Sequence, residues 1–349
     1  MKRVLFILCT FSILLASCGR KPAAEGKAPL SVIMETDLGN DIDDAIALAL
    51  LYKYLDDGKI RLLAININKN GDAPAGYADI LNTWYGYPDI PVGIIRDGAE
   101  CENDAEVNYA KAVVQMAGPD GKALFASSGV DPAARPEAVT LYRKILSAEP
   151  DSSVTIVSVG FSTNLARLLD SPADDYSPLS GEELVAKKVR LLVTMAGRFD
   201  GTDHHEYNVI KDIPAAQAVF GRWPTPVVTS PFELGIRVEY PGESIADDFT
   251  WTDRHPVVEA YKAYMPMPYD RPSWDPTAVL YAVEGGDWFG ISAPGRIEVS
   301  DEGSTYFTED PSGRHRYLSV SDTQAEAIKK HFVEMVTSRP LSMKNDGTN

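Results

Sequence analysis

Six short apolar runs, at residues 31–34, 60–67, 91–95, 154–159, 189–195 and 226–230, carry too few polar side chains to leave one face in water. Strands of that kind need cover on both faces, which a parallel sheet wrapped by helices supplies. Helical stretches at 43–55, 74–85, 136–146, 163–169 and 214–220 alternate with the runs. The class predicted is therefore α/β, doubly wound, with a mainly parallel sheet and helices on both faces. Ligands of such sheets bind beyond the carboxyl ends of the strands.

One of those ends is strongly acidic. Glu35, Asp37, Asp41, Asp43 and Asp44 crowd between the first apolar run and the first helix. Negative charge suits a helix N-terminus, but carboxylates this close cannot all stay ionised without a counter-charge. A bound cation is the simplest remedy. The donors are all oxygens, so the ion expected is a hard one, Ca²⁺ or Mg²⁺. An EF-hand loop counted from Asp37 fails, because its sixth and twelfth positions are Ile42 and Leu48 rather than Gly and Glu. Residues 159–164 and 196–208 follow two further strands, and 273–277 open an apolar helix at 278–283. The tail after 286 reads as strands at 296–299, 304–307 and 317–320 and a helix at 323–336, with no chemistry assigned to it.

The chain begins with Lys2 and Arg3, then an apolar stretch from 4 to 15 too short to span a bilayer, then Leu15-Ala16-Ser17-Cys18. This is the pattern of a secretory signal ending in a lipobox. Residues 1–17 are expected to be removed, with Cys18 lipidated and 18–29 serving as a tether. One domain at 30–340 would then face the periplasm or the surface of a bacterial cell envelope. The formal charge of −17 argues against nucleic acid as a partner and leaves membrane attachment to the lipid anchor. Cys9 falls in the signal and Cys101 is left alone, so no disulfide framework is expected.

Four blocks, read in order, carry a resemblance: 37–45 (DLGNDIDDA), 159–165 (VGFSTNL), 195–197 (MAG) with 206–208 (EYN) and Asp212, and Trp274-Asp275. Together they resemble the nucleoside hydrolase family. The resemblance implies calcium-dependent hydrolysis of the N-glycosidic bond of a small-molecule ribonucleoside, as in purine salvage. It implies calcium ligation by Asp37, Asp44, the Val159 carbonyl and Asp275, with Asp37 also the base that deprotonates water. Asp43, Glu206 and Asn208 would bind the sugar.

Four points stand out against the family's pattern. The acidic turn is two residues longer than the family's D-x-G-x-D-D, which makes Asp41 an additional carboxylate with no role to carry over. Glu35 replaces the usual leading aspartate and is placed behind the others. Asn66, Asn68 and Asn70 compete for one ribose contact, and Asn70 is favoured. Trp274 stands where many members have a histidine that protonates the leaving base. This is similar to the purine-preferring branch, in which the indole stacks on the base, so Trp274 is assigned both to catalysis and to substrate binding.

His204 and His205 are adjacent, so they point apart and ligate one zinc ion poorly. A loop that closes over the sugar suits 197–205 better, with either histidine as a proton source. Tyr261, Tyr264 and Tyr269 are candidates for the base pocket. The competing function is a lipoprotein that binds nucleoside or sugar for uptake without turnover. The oligomeric state is open between monomer and homo-oligomer.

Overall fold

The computed structural model describes residues 28–39, 41–99, 108–202 and 205–344. Cys18, Cys101, His204 and the expected signal segment lie outside the described residues. Twelve strands are present among the described residues: β1 (Leu30–Thr36), β2 (Ile60–Ile67), β3 (Val92–Gly93), β4 (Val154–Ser158), β5 (Val189–Met195), β6 (Val227–Ser230), β7 (Glu239–Tyr240), β8 (Arg271–Pro272), β9 (Gly290–Ile291), β10 (Gly295–Val299), β11 (Thr305–Glu309) and β12 (His315–Ser319). The main sheet runs β11-β10-β12-β6-β5-β4-β1-β2-β3, and β9 pairs with β12. Every pair from β12 to β3 is parallel, while β10 pairs antiparallel with β11 and β12.

The order places the site. From β1 the chain winds outward through β2 and β3, then returns to lay β4 against the other side of β1. The carboxyl ends of β1 and β4 therefore flank a topological switch point, where such sheets open a crevice. Asp37 follows β1 directly, and Val159-Gly160 follow β4.

Two helices need burial on all sides because they are apolar on all sides. The helix Asp43–Asp56 is buried from Asp43 through Tyr54, and the helix Trp274–Glu284 buries Asp275 through Leu280. They pack against each other beneath the sheet, and both begin at the crevice. The third expected strand shortens to two residues, because Ile94 leaves β2 and exchanges backbone bonds with Pro136 and Ala138. The tail forms strands and the helix Asp322–Val336 close to where they were expected. No helix among the described residues is long and apolar enough to cross a membrane.

Candidate active site

The packing of the two buried helices brings their first turns together. Carboxylate oxygens of Asp43, Asp44 and Asp275 lie within 4.8 Å of one another, and all three residues are buried. The Asp275 N–H donates to Asp43 Oδ2 at 3.0 Å, and the Thr36 hydroxyl donates to Asp44 Oδ1. Burial pushes all three carboxyls well above the usual range, and repulsion from neighbouring carboxylates adds to it, chiefly from Asp41 at Asp43, from Asp37 at Asp44 and from Asp43 at Asp275. This oxygen-only trio could hold a metal ion, and a hard cation would reverse both effects at once.

Asp37 stands beside the trio rather than inside it. Burial pushes its carboxyl to about 7, the Lys69 charge pulls the other way, and Asp41 adds to the rise. Lys69, which is buried, was not anticipated from the sequence. Its signal was the cation set in the polar turn at the end of β2, where a buried lysine needs nearby negative charge. Glu35 lies behind, as expected. Its oxygens accept from Tyr142 Oη at 2.6 Å and Asn164 Nδ2 at 2.7 Å, and burial pushes it to about 8. Asn164 also binds the Ile67 carbonyl, tying the turn after β4 to β2.

The turn after β4 presses on Asp37. A Cβ at Gly160 would lie 2.6 Å from the Asp37 nitrogen and 2.5 Å from Asn68 Oδ1, so only glycine fits. The Val159 carbonyl accepts from Asn208 Nδ2 at 3.2 Å and keeps a second lone pair.

Of Asn66, Asn68 and Asn70, the structure gives the favoured one, Asn70, protein partners of its own. Both amide atoms of Asn70 are engaged by the Gly98 backbone, at 3.0 and 2.9 Å. Asn68 is buried, and neither of its amide atoms makes a hydrogen bond of normal geometry, although it lies near enough to favour the Glu35 charge. Asn66, within β2, is buried and unpaired in the same way, but it is Asn68 that meets Asp37 around Gly160.

Glu206 and Asn208 also do more structural work than the resemblance implies. Glu206 caps the helix Tyr207–Lys211, accepting from the backbone of Gly197, Asn208 and Val209 at 2.7 to 3.1 Å. Burial still raises it to about 7. The Asn208 amide donates to the Met195 and Val159 carbonyls. They hold the ends of β4 and β5 in place.

Trp274 is partly buried. Its indole N–H donates to the Phe232 carbonyl at 3.0 Å, and its ring stacks on Phe232 with centroids 5.4 Å apart. The Arg198 guanidinium sits over the other partner of that stack, Phe232, at 4.9 Å. Arg198 in turn exchanges hydrogen bonds with Thr305, and His205 meets Ser304 at 3.1 Å. A cavity of about 450 Å³ lined by Arg198, Phe199, Thr305 and Tyr317 lies here. The tail therefore braces Arg198 and His205, a role not legible in its sequence. Tyr261 and Tyr269 stack on each other, and Tyr264 packs on Tyr109 and Tyr269.

Fold and site define an α/β protein with a buried, oxygen-only acidic crevice at the switch point of its sheet. The profile of the inosine-uridine preferring nucleoside hydrolases matches residues 32–335, and the chain belongs to that family. Over 202 residues it is 33% identical to a pyrimidine-specific ribonucleoside hydrolase, RihA, of Escherichia coli O139:H28, covering 55% of this chain and 57% of the relative. The chain thus spans about half the length of the curated relatives it matches. Its fold is similar to a purine-preferring ribonucleoside hydrolase of Gardnerella vaginalis, with a TM-score of 0.68 and 16% identity over 88% of this chain and 98% of that one. A plant nucleoside hydrolase gives a TM-score of 0.66 at 21% identity, over 89% and 100%. At these identities the structural likeness is one of fold.

Proposed function

We propose that this protein hydrolyses the N-glycosidic bond of ribonucleosides with calcium bound in the crevice, releasing base and ribose. The observation that carries the reading is the convergence of Asp43, Asp44 and Asp275 at the starts of two buried helices, with Asp37 alongside. Asp44, Asp275, Asp37 and the Val159 carbonyl would hold the ion. Asp43 lies with Asp44 and Asp275, and it would accept from a sugar hydroxyl as well. When bound, calcium supplies charge compensation and Lewis acidity, acidifying a water and orienting vicinal hydroxyls.

The chain's own groups do the rest. Asp37, ionised beside the bound cation, would take a proton from the attacking water. Asn68 offers a buried amide to the ribose. As the bond to the base lengthens, C1′ gains positive character, and the surrounding carboxylates stabilise it without having to reorganise. A pure binding protein has no use for a base such as Asp37 beside the metal ligands, which disfavours the uptake reading.

Purine nucleosides are the proposed substrates, because no histidine precedes Asp275 and Trp274 offers an aromatic surface instead. That preference would separate this chain from the relatives named pyrimidine-specific. Incubation of the purified protein with inosine, adenosine, uridine and cytidine in calcium, with free base and reducing sugar measured, tests the reading. Binding without release of base would overturn it. We also propose that Cys18 carries a lipid anchor. Labelling with a fatty acid should mark the protein and fail in Cys18→Ser, and persistent label in that variant contradicts it.

A further inference from the structure

Asp41, the carboxylate that the longer acidic turn adds, has a specific partner. Arg271 Nε donates to its Oδ1 at 2.9 Å, and Nη2 donates to its Oδ2, a two-pronged grip that lysine cannot make. Arg271 is itself fixed, since β8 pairs Arg271 with Tyr240 of β7. Its guanidinium lies 5.3 Å from the ring centroids of both Tyr264 and Trp274. Asp41 is close enough to the crevice that its charge acts on Asp37, Asp43, Asp44 and Asp275. An unpartnered carboxylate there would be one more oxygen ligand for a cation that has few positions to spare.

Resting on the calcium reading above, we propose that Arg271 is a positioning residue that keeps Asp41 out of the calcium shell, so that water and sugar hydroxyls take the remaining positions on the ion. The same guanidinium lies against Trp274, so the grip ties Asp41 to the element that carries the indole. The extension of the turn and the arginine three residues before Trp274 are then two halves of one device.

The test is calorimetric calcium titration of metal-stripped protein, with inosine kinetics alongside. In Arg271→Met the released Asp41 joins the ion. Calcium affinity should rise on the order of tenfold from the added carboxylate. The KM for inosine should rise, because hydroxyl positions are filled. Asp41→Asn/Arg271→Met should return both values toward those of the unmutated protein, which damage to the fold would not do. Asp41→Asn alone should change calcium affinity less than tenfold, since the long arginine can swing into water. Arg271→Lys, with charge but one prong, should fall between. Weaker or unchanged calcium binding in Arg271→Met, no recovery in the double variant, or a loss of tenfold or more in Asp41→Asn would overturn the role given to Arg271. Absence of calcium binding in the unmutated protein would instead sink the calcium reading itself.

Discussion

The Asp275 backbone N–H donates to the Asp43 carboxylate at 3.0 Å, joining two residues 232 positions apart in the chain. Each sits in the first turn of a buried helix, so this bond fixes how the two helix starts face each other. Backbone N–H groups at helix starts lack intrahelical partners, and a carboxylate from a neighbouring helix satisfies one of them. The crevice is therefore an outcome of helix packing as much as of acidic sequence.

Removing a trio carboxylate should remove the ion. Asp44→Ala or Asp275→Ala is expected to abolish calcium binding in a calorimetric titration, since the proposed ligands left, two carboxylates and the Val159 carbonyl, fall well short of the roughly six to eight oxygens the ion takes. Asp37→Asn should bind calcium more weakly yet stay folded, and should lose turnover by a factor on the order of 10² to 10⁴, the range for a general base. Full turnover in Asp37→Asn would place the base elsewhere.

Metal-free protein should lose stability as the pH rises. Burial holds Glu35 at about 8 and Asp37 and Glu206 at about 7, while unfolded carboxyls titrate near 4. The folded state then binds more protons between those values. These groups' contribution is complete below the unfolded pKa and is lost as pH rises through about 7 to 8. Melting temperatures in chelator should fall from pH 5 to pH 8. Calcium needs the ionised carboxylates, so the rise in melting temperature on adding it should grow over the same interval. A chelator profile that is flat or climbs would contradict the protonated crevice.

Gly160→Ala should strike the site more than the fold. Its added methyl would meet the Asp37 nitrogen, Asp37 Oδ1 and Asn68 Oδ1 at 2.5 to 2.7 Å. Asp37 and Asn68 must give way, and a displacement of about 1 Å from productive geometry can cost on the order of 10²-fold in rate. Turnover compared with the melting temperature checks this; a variant with normal turnover would show that Asp37 and Asn68 tolerate displacement.

Trp274→Ala should slow inosine and adenosine by about tenfold or more, with stacking taken as roughly 1 to 3 kcal/mol per base and about 1.4 kcal/mol per decade. Uridine should be the poorer substrate of the unmutated protein. Equal rates on uridine and inosine, unchanged by the substitution, would reduce Trp274 to a packing partner of Phe232.

Much of this was legible in the sequence because it is local. Uniform apolarity marked β1, β2, β4, β5 and β6, and the all-round apolar helix after Asp43 announced its own burial. What stayed hidden depends on partners far along the chain. Nothing near Asp41 points to Arg271, and nothing near Asn70 points to the Gly98 backbone that occupies it. Glu206 as a helix cap was foreseeable, since an acid sits immediately before the helix it caps, but the family resemblance drew it to the sugar instead. The tail's bracing of Arg198 and His205 rests on side-chain hydroxyls of Ser304 and Thr305, which carry no pattern of their own.

The central claim is that Asp37 and the adjacent carboxylates cleave a ribonucleoside only with a cation among them. The most direct measurement is the release of hypoxanthine from inosine by the purified protein, in calcium and again after chelation, with Asp37→Asn run in parallel. The account predicts equal amounts of base and reducing sugar in calcium, loss of both in chelator with recovery on adding calcium back, and little release by Asp37→Asn. Undiminished release in chelator, or no release in calcium by a protein that binds inosine, would contradict it.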